Sequence, residues 1–147
     1  MKRAWVFVFL AVMVAGCAGS RSMGYESDEG VTLYVERPEE GLAKGERLPE
    51  PDGGWRALAE EVEFPEMAKS ARVKGEVLVD LAVDEAGNVL SVDIIEALGY
   101  GCEKAIQDAV ARTAFKPGTV DGTPAAKRVS LVFAFERKLE VSVSRVN

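Results

Sequence analysis

The stretch from Phe64 to Glu136 decides the fold; it contains FPEMA at residues 64–68, GEVLVDLAVDEAGN at 75–88 and KRVSLVFAFE at 127–136. Alternating apolar and polar residues in the last two segments are typical of antiparallel strands with one buried face. Gly87-Asn88 suits a hairpin turn that needs a positive φ. Apolar residues at helical spacing between residues 102 and 113 predict a helix. The predicted order of elements is therefore helix, strand, tight loop, strand, helix, strand.

The apolar positions of these segments predict the core. Ile95 breaks the alternation of the second strand and marks a bulge or a strand end. We expect Cys102 to lie in the core, rather than to be a reactive thiol or an intermolecular bridge, because it belongs to the apolar stripe of its helix. A short amphipathic helix over Trp55 to Val62 is predicted to pack on the core, and Pro65 suits the first turn of the next helix. The predicted core positions are Ala68, Ala71, Val77, Val79, Leu81, Val83, Leu90, Val92, Ile94, Cys102, Ala105, Ile106, Ala109, Val110, Thr113, Val129, Leu131, Phe133 and Phe135.

The composition disfavours an enzyme. The chain contains no histidine, which removes the commonest general base and a usual metal ligand, so we expect no catalytic residue, metal or cofactor. A net charge of −6 without a basic stripe also argues against nucleic acid as a partner. An enzyme subunit or small-ligand binder stays as an alternative because Asp80 and Asp84 share one strand face, although a solvated sheet face explains them more simply.

The amino terminus predicts export. Lys2 and Arg3 precede an apolar stretch from Ala4 to Val14, which is too short to span a bilayer as a helix. It ends in Val14-Ala15-Gly16-Cys17, which resembles the lipobox of bacterial lipoproteins, so we expect acylation of Cys17 and a membrane anchor made of acyl chains. An ordinary signal peptide with a chance cysteine, or a short uncleaved anchor, is the alternative. Ala18, the residue after this cysteine, favours sorting of the mature protein to the outer membrane.

These signals divide the chain into four parts. Residues 1–16 are predicted to be a lipoprotein signal peptide and residues 17–52 a flexible acidic tether, because this Gly-, Pro- and Glu-rich segment has little apolar area to bury. Residues 53–137 form the predicted domain, and residues 138–147 a strand extension or tail. Within the tether, Val31 to Val35 is β-prone and favours an extra edge strand over a partner contact.

Several spaced motifs resemble the carboxy-terminal domain of the TonB family, and Gly53 to Leu58 is similar to the lead-in of TonB-like proteins of the Bacteroidetes group. The resemblance covers Gly53 to Glu136. It implies an α+β fold of two layers, with a three-stranded antiparallel sheet and two helices on one face. The motifs are Phe64-Pro65-x-x-Ala68, Gly75-Glu76-Val77-x-Val79, Asp84-x-x-Gly87-x-Val89, Ala105-Ile106-x-x-Ala109-Val110 and Phe115-Lys116-Pro117-Gly118.

The resemblance also implies a partner. In this family the domain pairs by strand addition with a segment of an outer-membrane transporter, so we expect a transporter or another envelope protein to bind the edge of the last strand. The competing expectation is that a tail from Leu139 to Val143 covers this edge. The partner-binding residues are predicted to be Arg128, Val129, Ser130, Leu131, Val132, Phe133, Ala134 and Phe135.

Besides the enzyme or small-ligand alternative, two functions within this family remain open. Energy-transducing members of the family have an uncleaved membrane helix with a histidine that couples them to a motor complex, whereas this chain has no histidine and a segment that resembles a lipobox. The first function is a lipid-anchored, periplasm-facing protein that binds its partner without a motor. The alternative is an energy transducer for TonB-dependent transport whose motor coupling is supplied by another subunit. A homodimer is compatible with both.

Overall fold

The computed structural model describes residues 21–36 and 42–138. No helix among these residues is long and apolar enough to cross a membrane. The elements that they form are, in chain order, β1 (Arg21–Glu26), β2 (Val31–Glu36), β3 (Glu46–Arg47), β4 (Glu50–Pro51), α1 (Gly54–Glu61), α2 (Glu66–Ser70), β5 (Lys74–Val83), β6 (Val89–Glu96), α3 (Cys102–Arg112), β7 (Phe115–Lys116), β8 (Gly118–Val120), β9 (Thr123–Ala125) and β10 (Lys127–Glu136).

A five-stranded antiparallel sheet in the order β1-β2-β10-β5-β6 is the main element of the fold. Two small ladders, β3-β8-β9 and β4-β7, hold the connections near its ends. Strand β5 alternates as predicted, since Val77, Val79, Leu81 and Val83 are fully buried. The turn after it has Gly87 at φ +87°, a left-handed conformation that glycine adopts without steric cost.

The helices complete one core with a single face of the sheet. Helix α3 buries Cys102, Ile106, Ala109 and Val110, which are four of the six positions in its predicted stripe. The predicted helix over Trp55 to Val62 is present as α1. The core cluster consists of Val31, Leu33, Val35, Leu58, Ala59, Val62, Phe64, Ala68, Val77, Val79, Leu81, Val83, Cys102, Ile106, Ala109, Val110, Phe115, Val129, Leu131, Phe133 and Phe135.

The predicted α+β class and antiparallel sheet are confirmed, but the sheet has five strands where the sequence predicts three. The two extra strands, β1 and β2, lie in the range predicted to be a flexible tether, and β3 and β4 also fall there. The prediction of a flexible tether is therefore wrong for the described part of residues 17–52, except that the run from Val31 to Val35 is a strand as expected, although β2 lies between β1 and β10 and not at an edge. The prediction failed because it was based on the Gly- and Glu-rich composition around this run, whereas Val31, Leu33 and Val35 are all buried. The signal peptide, Cys17 and the tail from Leu139 lie outside the described residues.

Strand β6 departs from simple alternation at two points. Its register with β5 shifts once between the partners of Leu78 and Val79, which leaves Ile95 as an extra residue, so of the two expectations for Ile95 the bulge is correct and the strand end is not. A second shift between the partners of Ala82 and Val83 leaves Leu90 as another. Leu90 is consequently exposed, and its prediction as a core residue is wrong. Ala71 is exposed too, because α2 has already ended at Ser70.

Candidate functional site

Strand β10, which the sequence predicts to bind the partner, lies in the middle of the sheet. It pairs with β5 through ten consecutive residue pairs, from Lys127 to Glu136. On its other side, six consecutive residues from Ser130 to Phe135 pair with β2. The prediction that this strand has an open edge is therefore wrong for this structure. The competing expectation was that the tail from Leu139 to Val143 covers that edge, but β2, which precedes α1 in the chain, occupies it.

The side chains of β10 divide between the two faces of the sheet. Four of the eight predicted partner-binding residues, Val129, Leu131, Phe133 and Phe135, point into the core and are buried. The ring of Phe135 also meets the ring of Phe64 edge to face, with centroids 5.5 Å apart. The inward half of the predicted set thus stabilises the fold, and a partner strand would contact these residues through their backbone.

The outward side chains of β10 have polar neighbours on the adjoining strands. The Ser130 hydroxyl donates a hydrogen bond of 2.5 Å to Asp80. The Arg128 guanidinium lies 3.7 Å from the Asp80 carboxylate and 3.3 Å from that of Asp93. Val132 is only 4% exposed even though it belongs to this outer series. Asp80 therefore takes part in contacts between strands on the sheet surface.

A set of backbone and side-chain contacts attaches the β1–β2 hairpin to the end of β10. In the hairpin turn, the buried Ser27 hydroxyl accepts a hydrogen bond from the Val31 N–H at 3.1 Å. The Gly30 carbonyl accepts one from the Glu136 N–H at 2.9 Å. Lys138 forms an ion pair with Glu26 across a distance of 2.9 Å. The hairpin is thus held by specific contacts at its turn as well as by strand pairing.

A further contact connects this turn to the helical layer. The carboxylate of Glu29 accepts a hydrogen bond of 3.0 Å from the backbone N–H of Phe64, which lies between α1 and α2. Phe64 precedes Pro65, the N-cap of α2, so its amide belongs to no helix, and the carboxylate satisfies a backbone donor that would otherwise need water. The hairpin turn therefore contacts both the sheet and the helices.

The titratable groups with shifted pKa values have structural partners. Hydrogen bonds from the backbone and side chain of Asn88 lower the pKa of Asp84, whose carboxylate closes the β5–β6 turn. Burial alone raises the pKa of Glu103, but hydrogen bonds from the Gly99 and Leu98 amides lower it overall. These carboxylates therefore hold a turn and the loop before α3.

Cys102 is fully buried, which agrees with its predicted place in the core. Burial raises the pKa of its thiol to about 11, and the neighbouring charge of Glu103 adds to the effect. A thiol with a raised pKa stays protonated at neutral pH, and the thiolate is the reactive form. Cys102 therefore behaves as a small apolar side chain of α3.

Residues 60–136 match the family model of the Gram-negative bacterial TonB protein C-terminal domain. This chain belongs to that family. The match covers just over half of the 147 residues. TonB-family proteins are proteins of the bacterial envelope and periplasm, and their C-terminal domains act in TonB-dependent transport and interact with outer-membrane transporters.

The comparison with solved structures finds a similar fold in the NMR solution structure of the Helicobacter pylori TonB C-terminal domain. The sequence identity is 21% and the TM-score is 0.43, over 57% of this chain and 77% of that chain. No curated protein matches the sequence.

The TonB-family match separates the sheet into two parts. Strands β10, β5 and β6 lie inside the matched residues and form a three-stranded sheet in the order β10-β5-β6. The β1–β2 hairpin lies outside them, and it adds to the side of β10 that would otherwise be an edge of the TonB-family unit. The resemblance therefore predicts the three matched strands of the main sheet correctly, and it misses the added hairpin, a third helix and the two small ladders.

The two outer edges of the full sheet are irregular among the described residues. Strand β6 has register shifts at two points, and β1 has one between Arg21 and Gly24. Bulges on edge strands interrupt the row of hydrogen-bonding groups and discourage pairing with a further strand. The ladder of β10 with β2 has no such shift over its six pairs. The side of β10 that β2 occupies is thus a regular surface for a strand.

Proposed function

We propose that this protein is a lipid-anchored, periplasm-facing member of the TonB C-terminal family that binds a segment of an outer-membrane transporter by strand addition to β10. The observation that supports the proposal is the pairing of β2 with β10. A strand from outside the TonB-family unit fits there in a regular antiparallel ladder of six residue pairs. Strand addition requires such a side, because backbone hydrogen bonds provide much of the affinity.

The pairing of β2 with β10 defines a smaller binding site than the eight residues predicted from the sequence. Ser130 to Phe135 are the residues of β10 that face β2 in the ladder, whereas Arg128 and Val129 lie beyond it. We therefore assign the binding role to the backbone from Ser130 to Phe135. The outward side chains of Ser130, Val132 and Ala134 flank the incoming strand.

Acylation of Cys17 is the proposed membrane anchor. Each buried CH₂ of an acyl chain contributes about 0.8 kcal/mol, so two or more chains attach a protein stably to a bilayer. An anchor at the outer membrane would place the domain in the compartment into which the periplasmic segments of transporters extend. The anchor thus supports the choice of an outer-membrane transporter as the partner.

The anchor predicts a simple labelling result. In cells grown with a clickable fatty acid, we expect the wild-type protein to carry the label and to fractionate with membranes. Cys17→Ser should lose the label entirely, because the acceptor thiol is gone. Cys102→Ser is the matched control, since Cys102 is fully buried and its loss should leave labelling unchanged. An unlabelled wild-type protein in the cytosol would refute the anchor.

The binding role predicts site-specific crosslinking. We expect a photoreactive amino acid at Ala134, which lies on β10 opposite Thr32, to form adducts with an outer-membrane transporter in intact cells. The same group at Glu85 is the control, because Glu85 is an exposed residue of the β5–β6 turn. Identical adducts from both positions would contradict the assignment of the site. Adducts with subunits of an inner-membrane motor would instead favour the energy-transducing alternative.

A further inference from the structure

We propose that the β1–β2 hairpin is an internal substitute for the partner strand, so that a partner must displace β2 from β10 and must carry a similar pattern of side chains. This inference rests on the proposed function, because it concerns the same side of β10. It adds the sequence character of the partner segment and a way in which access to the site is controlled.

The side chains of β2 specify the character of the partner segment. Val31 and Leu33 are 0% exposed and Val35 is 7% exposed, while the intervening Thr32 and Tyr34 are only half-buried. In strand addition, the backbone supplies affinity and the alternate side chains fill pockets that give specificity. The partner segment should therefore run antiparallel to β10 and carry apolar residues at three alternating positions. A charged residue at the middle position would leave an unpaired charge in the core.

The covalent link between the hairpin and the domain gives β2 an advantage over any partner. A tethered strand competes at an effective concentration that reaches the millimolar range for short flexible linkers. A free peptide of the same sequence should therefore bind weakly to the intact protein. It should bind more tightly to any variant in which β2 holds its place less well. Access to β10 is thus set by the stability of the hairpin.

Displacement of the hairpin would also change the reach of the domain. Only residues 18–20 separate Cys17 from Arg21, where β1 begins. A chain of four residue steps spans at most about 14 Å, so a docked hairpin keeps the domain close to an anchor at Cys17. If the hairpin is released, the linker extends to β3 at Glu46, which stays paired with β8. About 28 flexible residues have an average end-to-end distance of roughly 26 to 32 Å. Partner binding and a longer reach from the membrane are therefore coupled.

A reversible crosslink between β2 and β10 tests the inference. Thr32 and Ala134 face each other directly in the ladder. Opposite residues on antiparallel strands have Cα atoms about 4.5 to 5.5 Å apart, within the range for a disulfide. We would place Thr32→Cys and Ala134→Cys in the full chain with Cys17→Ser. The matched control pairs the same Ala134→Cys with Glu76→Cys, which is the opposite residue on β5.

The probe is a fluorescent synthetic peptide with the sequence of residues 30–36, GVTLYVE. We expect the reduced Thr32→Cys/Ala134→Cys protein to bind it and the oxidised protein to bind at least 10-fold more weakly. The control pair should bind equally well in both redox states. Leu33→Ala in the protein should strengthen peptide binding, whereas Asp in place of Leu33 in the peptide should abolish it.

Two results would overturn the inference. One is equal peptide binding by the oxidised and reduced forms of the β2–β10 pair, because the site would then lie elsewhere. The other is a lack of peptide binding even by Leu33→Ala. The two experiments use separate variants. If the photoreactive group at Ala134 forms transporter adducts, but the disulfide does not change peptide binding, the proposed function stands and displacement is refuted. Peptide binding that follows the disulfide, without transporter adducts in cells, would support displacement and refute the proposed partner.

Discussion

Replacement of Phe133 by Ala is expected to lower the free energy of unfolding by about 3–5 kcal/mol, the usual cost of removing a large aromatic side chain from a core. Phe133 is fully buried and lies in β10, the central strand of the sheet. The strand contacts β5 and β2 at once, so the cavity cannot be closed by moving one neighbour alone. Because domains are stabilised by about 5–15 kcal/mol, this single change should leave the protein close to unfolding.

Urea unfolding followed by circular dichroism measures this loss. Met67→Ala is the matched control, because Met67 is 66% exposed on α2. Surface changes of this type usually alter stability by no more than about 0.5 kcal/mol. A loss below about 1 kcal/mol in Phe133→Ala would contradict the central place of β10. Such a result would fit a strand at an edge with solvent on one side.

The central place of β10 also changes what a proline substitution tests. If β10 were an edge strand, a proline at Ser130 or Val132 would block strand addition by removing one backbone donor. In the structure both residues pair with β5 on one side and β2 on the other. A proline there would therefore destabilise the sheet itself, and loss of binding would not separate the two effects. The disulfide between β2 and β10 avoids this difficulty because it leaves the backbone donors in place.

The strands and the main helix of the TonB-family unit could be predicted because their signals are local. Strand β5 has an apolar residue at every second position from Val77 to Val83, and all four of these predicted core residues are buried. The turn at Gly87 has the positive φ that its sequence predicts. The stripe of α3 is also recovered, with Cys102 at its buried start. In each case the preference of the segment agrees with its place in the fold, so no tertiary contact overrides it.

The β1–β2 hairpin could not be placed from sequence because its stability depends on a distant partner. The run from Val31 to Val35 was recognisable as β-prone, but its flanks resemble a solvated tether. It pairs with β10, whose residues lie about a hundred positions away in the chain, and its inward side chains join a core to which α1 contributes. Composition averages over a window and therefore hides three inward side chains that are buried only by contacts with distant parts of the chain. Because the docking of β2 was not predicted, β10 was predicted to be an edge strand.

The second large effect is expected from Gly30→Ala, which should weaken docking of the hairpin onto β10 by about 2–5 kcal/mol. Gly30 has φ +93°, and an added Cβ would overlap the backbone carbonyl of Glu136. A left-handed conformation costs an L-residue about 1–2 kcal/mol, and overpacking against a fixed neighbour adds about 1–3 kcal/mol. The Gly30 carbonyl also accepts the Glu136 N–H, so any shift that relieves the overlap weakens this hydrogen bond.

Gly99→Ala separates the two contributions, because Gly99 has φ +85° and no atom lies within 4 Å of its added Cβ. It should show the conformational cost alone, about 1–2 kcal/mol. In Gly30→Ala, hydrogen exchange of the β2 amides should be faster, and the amides that join β5 to β6 should be less affected. The Gly30→Ala protein should also bind the synthetic β2 peptide more tightly than the wild type does. Equal losses in the two variants, or uniform acceleration across the sheet, would mean that the hairpin and the TonB-family unit open only together. A domain of that kind would have no separate route by which a partner strand reaches β10.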